Sequence, residues 1–165
     1  MEYDTANSFD AISDENSHIL ILGTIPSVQS RDAGFYYAHP RNRFWLVLAK
    51  LFGRPIPEGI NEKKRLLLEN GIALWDVLAS CEISGSDDSS IRNPVFNDIT
   101  ALVSEKPIGK ILCNGKKAYD LFQRSFCLSV PVVRMPSTSP ANASWSAERL
   151  IKAWKKNFKE SLQNH

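Results

Sequence analysis

HILILGTIPS, residues 18–27, is a short apolar run that breaks into a turn carrying Gly23 and Pro26. A run of that length, closed by turn residues, reads as one buried strand over 18–22 and the turn that leaves it over 23–27. Soon after comes GFYYAHPRNRFW, residues 34–45, which gathers aromatic rings, a His-Pro pair, two arginines and one asparagine. Such a loop can grip a flat ring and a phosphate together. A helix is expected to start near Arg43 and run to Phe52. The loop therefore hangs from the carboxyl end of a strand, where open parallel sheets bind their ligands.

The same rhythm recurs along the chain. Apolar segments over 18–22, 72–74, 110–113 and 130–134 read as strands, and helical patterns fall over 43–52, 62–70, 95–103, 115–122 and 146–162. Alternation of this kind predicts an α/β fold, with a mainly parallel sheet covered by helices on both faces. Each strand feeds a polar or Gly/Pro-rich segment: GTIPS, then Trp75-Asp76 with CEISGSDDS, then Asn114-Gly115, then MPSTSPAN. These would converge on one sheet edge as a cleft. Alternatively they are no more than the polar loops that any α/β protein carries.

With 165 residues and 43% hydrophobic content the chain makes one domain over 1–165, large enough for a substantial core. No apolar run reaches the roughly 18 to 20 residues of a membrane span, and the acidic start is unlike a signal peptide. A cytoplasmic protein without membrane contact is expected. Cys81, Cys113 and Cys127 form no CxxC pair, so neither a disulfide framework nor a metal site is expected, and the thiols read as buried. Neither GxGxxG nor GxxxxGK[ST] occurs, which disfavours a generic nucleotide-binding domain. Net charge is +2, but residues 1–30 hold five acids and no Lys or Arg, so the rest carries 20 basic against 13 acidic side chains. That excess is compatible with a polyanionic partner without demanding one.

On GFYYAHPRNRFW, ALWDVL with GSDDSSI, ILCNG and MPSTSPAN, the chain resembles the uracil-DNA glycosylase superfamily, and within it the hypoxanthine-DNA glycosylase branch. The resemblance spans most of the chain. It implies a three-layer α/β/α sandwich around a four-stranded sheet and removal of a deaminated base from DNA, leaving an abasic site. It implies no cofactor and no metal, and a monomer as the working form.

Chemistry then assigns the residue types. A base inside a duplex must be rotated out, at a cost of roughly a few kcal/mol, and held in a pocket. Tyr37, with Tyr36 next, is the candidate ring for stacking on it, where ~1 to 3 kcal/mol per base is returned; a core role for Tyr37 is the alternative. Breaking the N-glycosidic bond puts negative charge on the departing base and demands a placed water. Gly23 and Ile25 fall in the turn that contacts the base, but Ile25 replaces the water-positioning amide or acid of related enzymes. The catalytic candidate is therefore Asn42, as a water-positioning group, a contact to the leaving base, or the cap of the following helix. Asn114 is a candidate base reader or a plain turn residue.

Ser27, His39, Arg41, Arg43, Ser137, Thr138, Ser139 and Asn142 are the candidate DNA contacts. His39 could instead protonate the base or hold its loop, and Arg41 or Arg43 could pair with Asp76 or Asp88. Met135 stands where relatives carry a His or Asn donor, which argues against strong uracil activity. Three functions follow: a hypoxanthine-DNA glycosylase, a uracil or thymine mismatch glycosylase, and a relative that binds damaged DNA or a nucleotide without catalysis.

Overall fold

The computed structural model describes residues 2–158. In chain order the strands are β1 (Asp4–Asn7), β2 (Ile19–Gly23), β3 (Ile72–Asp76), β4 (Leu78–Ile83), β5 (Arg92–Phe96), β6 (Lys110–Asn114) and β7 (Val132–Met135). The helices are α1 (Val28–Ala33), α2 (Phe44–Leu51), α3 (Ile60–Glu69), α4 (Ile99–Glu105), α5 (Lys116–Ser125) and α6 (Ala147–Lys155). A wholly parallel sheet of order β3-β2-β6-β7 forms the middle layer.

The period-two alternation of β2 sends its side chains into two separate cores. Ile19 and Ile21 face a cluster completed by α2, α3 and α6, with Phe44, Leu48, Leu67, Leu150 and Trp154 fully buried. Leu20 and Leu22 face the other cluster, built with Leu102, Ala118, Leu121 and Phe122 of α4 and α5. Both faces of β2 are thus covered, which is why ILIL reads as an unbroken apolar run. This is the expected α/β/α layering.

Part of the second layer departs from expectation. A three-stranded antiparallel sheet, β1-β4-β5, contributes Ala6, Leu78, Cys81 and Ile83 to the second core. The helix expected over 95–103 begins late, because Val95 and Phe96 close edge strand β5. Pro94 suits that edge, where no ladder donor is needed. Asp98 then caps α4 by accepting from Ala101 N–H at 3.1 Å. The last helix stops at Lys155, and residues 159–162 of its expected span lie outside the described residues. Cys127 is exposed, against the expectation of buried thiols, while Cys81 and Cys113 are buried.

Candidate active site

Segments leaving β2, β3, β6 and β7 enclose a cavity of about 140 Å3 whose wall includes Gly23, Tyr37, Asn42, Asp76, Asn114 and Thr138. That is the scale of a cavity known to take a small flat aromatic molecule, ~150 Å3. The expected convergence of four strand ends is therefore physical. Among the described residues no three of His, Cys, Asp and Glu come together as a metal site.

Asn42 sits where the aromatic loop turns into α2. Its Oδ1 accepts from Phe44 N–H at 2.9 Å and from the Thr138 hydroxyl at 2.9 Å. Two donors on one oxygen fix which end of the amide is which, so Nδ2 is the half left for the cavity. Asn114 props the same hydroxyl: its Nδ2 donates to Thr138 Oγ1 at 3.0 Å and its Oδ1 accepts from Thr138 N–H at 3.1 Å. Asn42 is thus both a brace for the first turn of α2 and a presented donor. Thr138, assigned to DNA contact, is instead fully buried at the centre of this relay. Thr138→Val keeps its shape and strands the Asn114 amide, so we expect a loss of ~1 to 3 kcal/mol in urea unfolding together with slower base release. An unchanged release rate would show that the relay does not aim Asn42.

The floor is less satisfied than the rim. Parallel register sets Gly23 against Asp76, and a Cβ on Gly23 would lie 2.6 Å from Asp76 Oδ1 and 2.8 Å from the Tyr37 hydroxyl. Only glycine leaves room there for both polar groups. Asp76 is 3% exposed, and among the described residues its Oδ2 has no hydrogen-bond partner; the Tyr37 hydroxyl is buried beside the Asn114 amide without a well-formed hydrogen bond to it. Burial first, and the Asp88 charge second, push the Asp76 carboxyl up to about 7. Burial and the Asp76 charge also raise the Tyr37 phenol. No arginine neutralises Asp76: the pairing considered for Arg41 or Arg43 does not form.

Tyr37 adopts a left-handed backbone, φ 52°, uncommon for a bulky side chain and typical of functional loops. One face of its ring stacks on Phe44, centroids 4.0 Å apart. Tyr36, the second stacking candidate, is a wall residue: it is 2% exposed and its hydroxyl donates to the Asp10 carbonyl at 2.8 Å. Ile25 lines the cavity and packs onto the second core.

Arg43, assigned to phosphate, has another post. Its guanidinium donates to the carbonyls of Ser139, Asn142 and Trp145, tying down the loop after β7. Asn142 braces that loop from inside, donating Nδ2 to Ser137 O at 3.0 Å. The Ser137 and Ser139 hydroxyls line the cavity and each accepts the backbone N–H two residues on, so each keeps its own O–H to donate. Ser27 caps α1 by accepting from Ser30 N–H at 3.2 Å. His39 and Arg41 lie off the cavity wall; His39 Nδ1 accepts from Arg41 N–H at 3.0 Å, and the Arg41 side chain is exposed. A neighbouring groove of about 490 Å3 carries Lys116, Lys117 and Arg134, cations absent from the sequence-based assignment. Helix starts and strand ends mark them only once the topology is known.

A cavity on the carboxyl edge of a parallel sheet, with a fixed amide donor at its side and a cationic groove beside it, suits a flat polar ligand carried on an anionic chain. The chain belongs to the uracil-DNA glycosylase superfamily, whose family model matches residues 9–163. A hypoxanthine DNA glycosylase of Methanosarcina acetivorans is 37% identical over 86% of this chain and 90% of its own length. A second, from Methanosarcina barkeri, is 33% identical over 94% and 96%. The solution structure of a candidate uracil DNA glycosylase from M. acetivorans superimposes with a TM-score of 0.81 at 32% identity, covering 96% of this chain and 99% of that one.

Proposed function

We propose that this DNA N-glycosylase flips hypoxanthine out of DNA and hydrolyses its glycosidic bond, acting as a single-domain monomer on genomic DNA inside the cell. The observation that carries this reading is the Asn42 amide, held by two donors on Oδ1 so that Nδ2 meets whatever fills the cavity. Charge develops on the departing base, and a donor fixed in advance stabilises it without reorganising. Nδ2 cannot accept a proton from the attacking water, so Asn42 is not its base, and a donor at this place complements the charge on the leaving base. Tyr37, backed by Phe44, offers its second ring face to the flat base. Ser137, Ser139 and the lysines of the groove hold the flanking phosphates. Both relatives bearing the name hypoxanthine DNA glycosylase support the choice of base.

The test is incubation in EDTA with duplexes carrying one deoxyinosine, uracil or xanthine, followed by alkali to reveal abasic sites. Breaks at deoxyinosine are expected, without strand cleavage before alkali. Tight binding with intact DNA throughout would replace this reading with a non-catalytic one, and preferential uracil release would move it to the mismatch enzymes.

A further inference from the structure

We propose that Asp76 reads the far edge of the flipped purine, its carboxylate accepting N1–H of hypoxanthine and turning adenine away. This rests on the hypoxanthine reading above. The geometry begins with depth. A base enters the cavity with its glycosidic bond trailing at the mouth, so the floor meets the edge farthest from the sugar. In a purine that edge is N1 and the substituent on C6. The floor holds two buried polar groups, Asp76 Oδ2, which no described residue satisfies, and the Tyr37 hydroxyl, whose polar neighbour is the Asn114 amide. Buried polar atoms are almost always partnered, so an orphan carboxylate oxygen on a residue that lines the cavity marks the place of a ligand atom.

With Asp76 opposite N1, as proposed, their chemistry fits one base and not its parent. Hypoxanthine presents N1–H as a donor and O6 as an acceptor, which match a carboxylate acceptor and a phenol donor. Adenine presents N1 as an acceptor and an amino group as a donor. Against an ionised Asp76, adenine N1 sets lone pair against lone pair, and a buried polar group left unpaired is how sites reject near-isosteres. Since adenine is the base whose deamination gives hypoxanthine, this is the discrimination on which undamaged DNA depends.

A carboxyl that reads a base must do so in one protonation state. The titratable groups facing Asp76 are Tyr36 and Tyr37 of the aromatic loop and Asp88 of the turn after β4. Cys113 of β6 adjoins Tyr37, and burial pushes its thiol up to about 12. None is a cation. With its midpoint near 7, Asp76 is mostly ionised at pH 8 and mostly protonated at pH 6. The protonated form still accepts N1–H through its carbonyl oxygen, but it can also donate to adenine N1. Discrimination is therefore a property of the alkaline form and relaxes with acid.

The experiment measures free hypoxanthine and free adenine as inhibitors of base release from deoxyinosine duplex, at pH 6 and pH 8, for wild type and Asp76→Asn. In wild type, adenine inhibition relative to hypoxanthine should strengthen about tenfold from pH 8 to pH 6, following the protonated fraction. Asp76→Asn offers both an acceptor and a donor, so its preference should drop at least tenfold at pH 8 and no longer vary with pH. Should the variant turn over too slowly, the same ratio is read by calorimetric titration of the two bases into its complex with abasic-site duplex. A wild-type ratio flat with pH, or a preference that survives in Asp76→Asn, overturns this assignment while release of hypoxanthine stands. No release from deoxyinosine DNA at either pH overturns the functional reading and this one with it.

Discussion

Asn42→Asp is expected to fold like the wild type, to bind DNA and to release the base roughly a hundred- to a thousandfold more slowly. The size is that of removing one preorganised donor from developing negative charge. Aspartate keeps the oxygen that accepts from Phe44 N–H and the Thr138 hydroxyl, so the first turn of α2 stays braced. It loses only the Nδ2 hydrogens and places a negative charge where the leaving group gathers its own. If Asn42 served as an acceptor for water, aspartate would do at least as well. Single-turnover release with thermal unfolding of the same preparation separates the cases: a slow, fully stable variant supports the donor role, an active one refutes it. Asn42→Ala, by contrast, removes brace and donor together, and cannot tell them apart.

The second large effect is on stability. Asp76 carries a folded-state midpoint of about 7 against a reference of 3.8. A carboxyl shifted upward favours the fold fully below its unfolded midpoint, and that advantage is lost as pH rises through the folded one. Between pH 5 and pH 8 the wild type forfeits roughly 3 kcal/mol through this group, at about 1.4 kcal/mol per unit. Asp76→Asn has nothing to ionise. Its Tm should therefore match or modestly differ from wild type at pH 5 and exceed it by about 6 to 12 °C more at pH 8, using ~2 to 4 °C per kcal/mol. Parallel curves for the two proteins would show that Asp76 is not held neutral by the fold. The gain in Tm comes at a position proposed to choose the base, a trade-off common where active sites store strain.

The parallel sheet was legible because each of its strands is a compact apolar run with a turn at its carboxyl end, and ILIL is buried on both sides. The antiparallel sheet was not. LASCEI mixes polar with apolar residues, and RNPVF carries a proline and is largely exposed, so neither has the apolar signature of a core strand. The six-residue α1 was too short to show a period. Of the site, the residue types that need no partner to be read, an asparagine in an aromatic loop and serines between prolines, were found. Asp76 was noticed only as a possible ion-pair partner. Its meaning depends on the register that sets it against Gly23, and register between residues 53 positions apart leaves no local trace. Arg43 misled for the complementary reason: an arginine in a DNA-facing loop suggests phosphate, and only the fold reveals three backbone carbonyls within its reach.

On the proposed function, that one arginine also bears on how fast the protein can search. A repair enzyme meets a vast excess of sound bases for every damaged one, and must leave each quickly. Ordering a floppy loop at every encounter would slow engagement and tax each trial with lost side-chain and backbone freedom. Here the loop proposed to grip the DNA backbone is already cross-tied within the protein, by Arg43 from one side and by the Trp154 indole N–H on the Pro136 carbonyl from the other. Interrogation of successive base pairs then costs little beyond the exchange of counterions. The rate of scanning is left to electrostatics and to the flipping of the base itself.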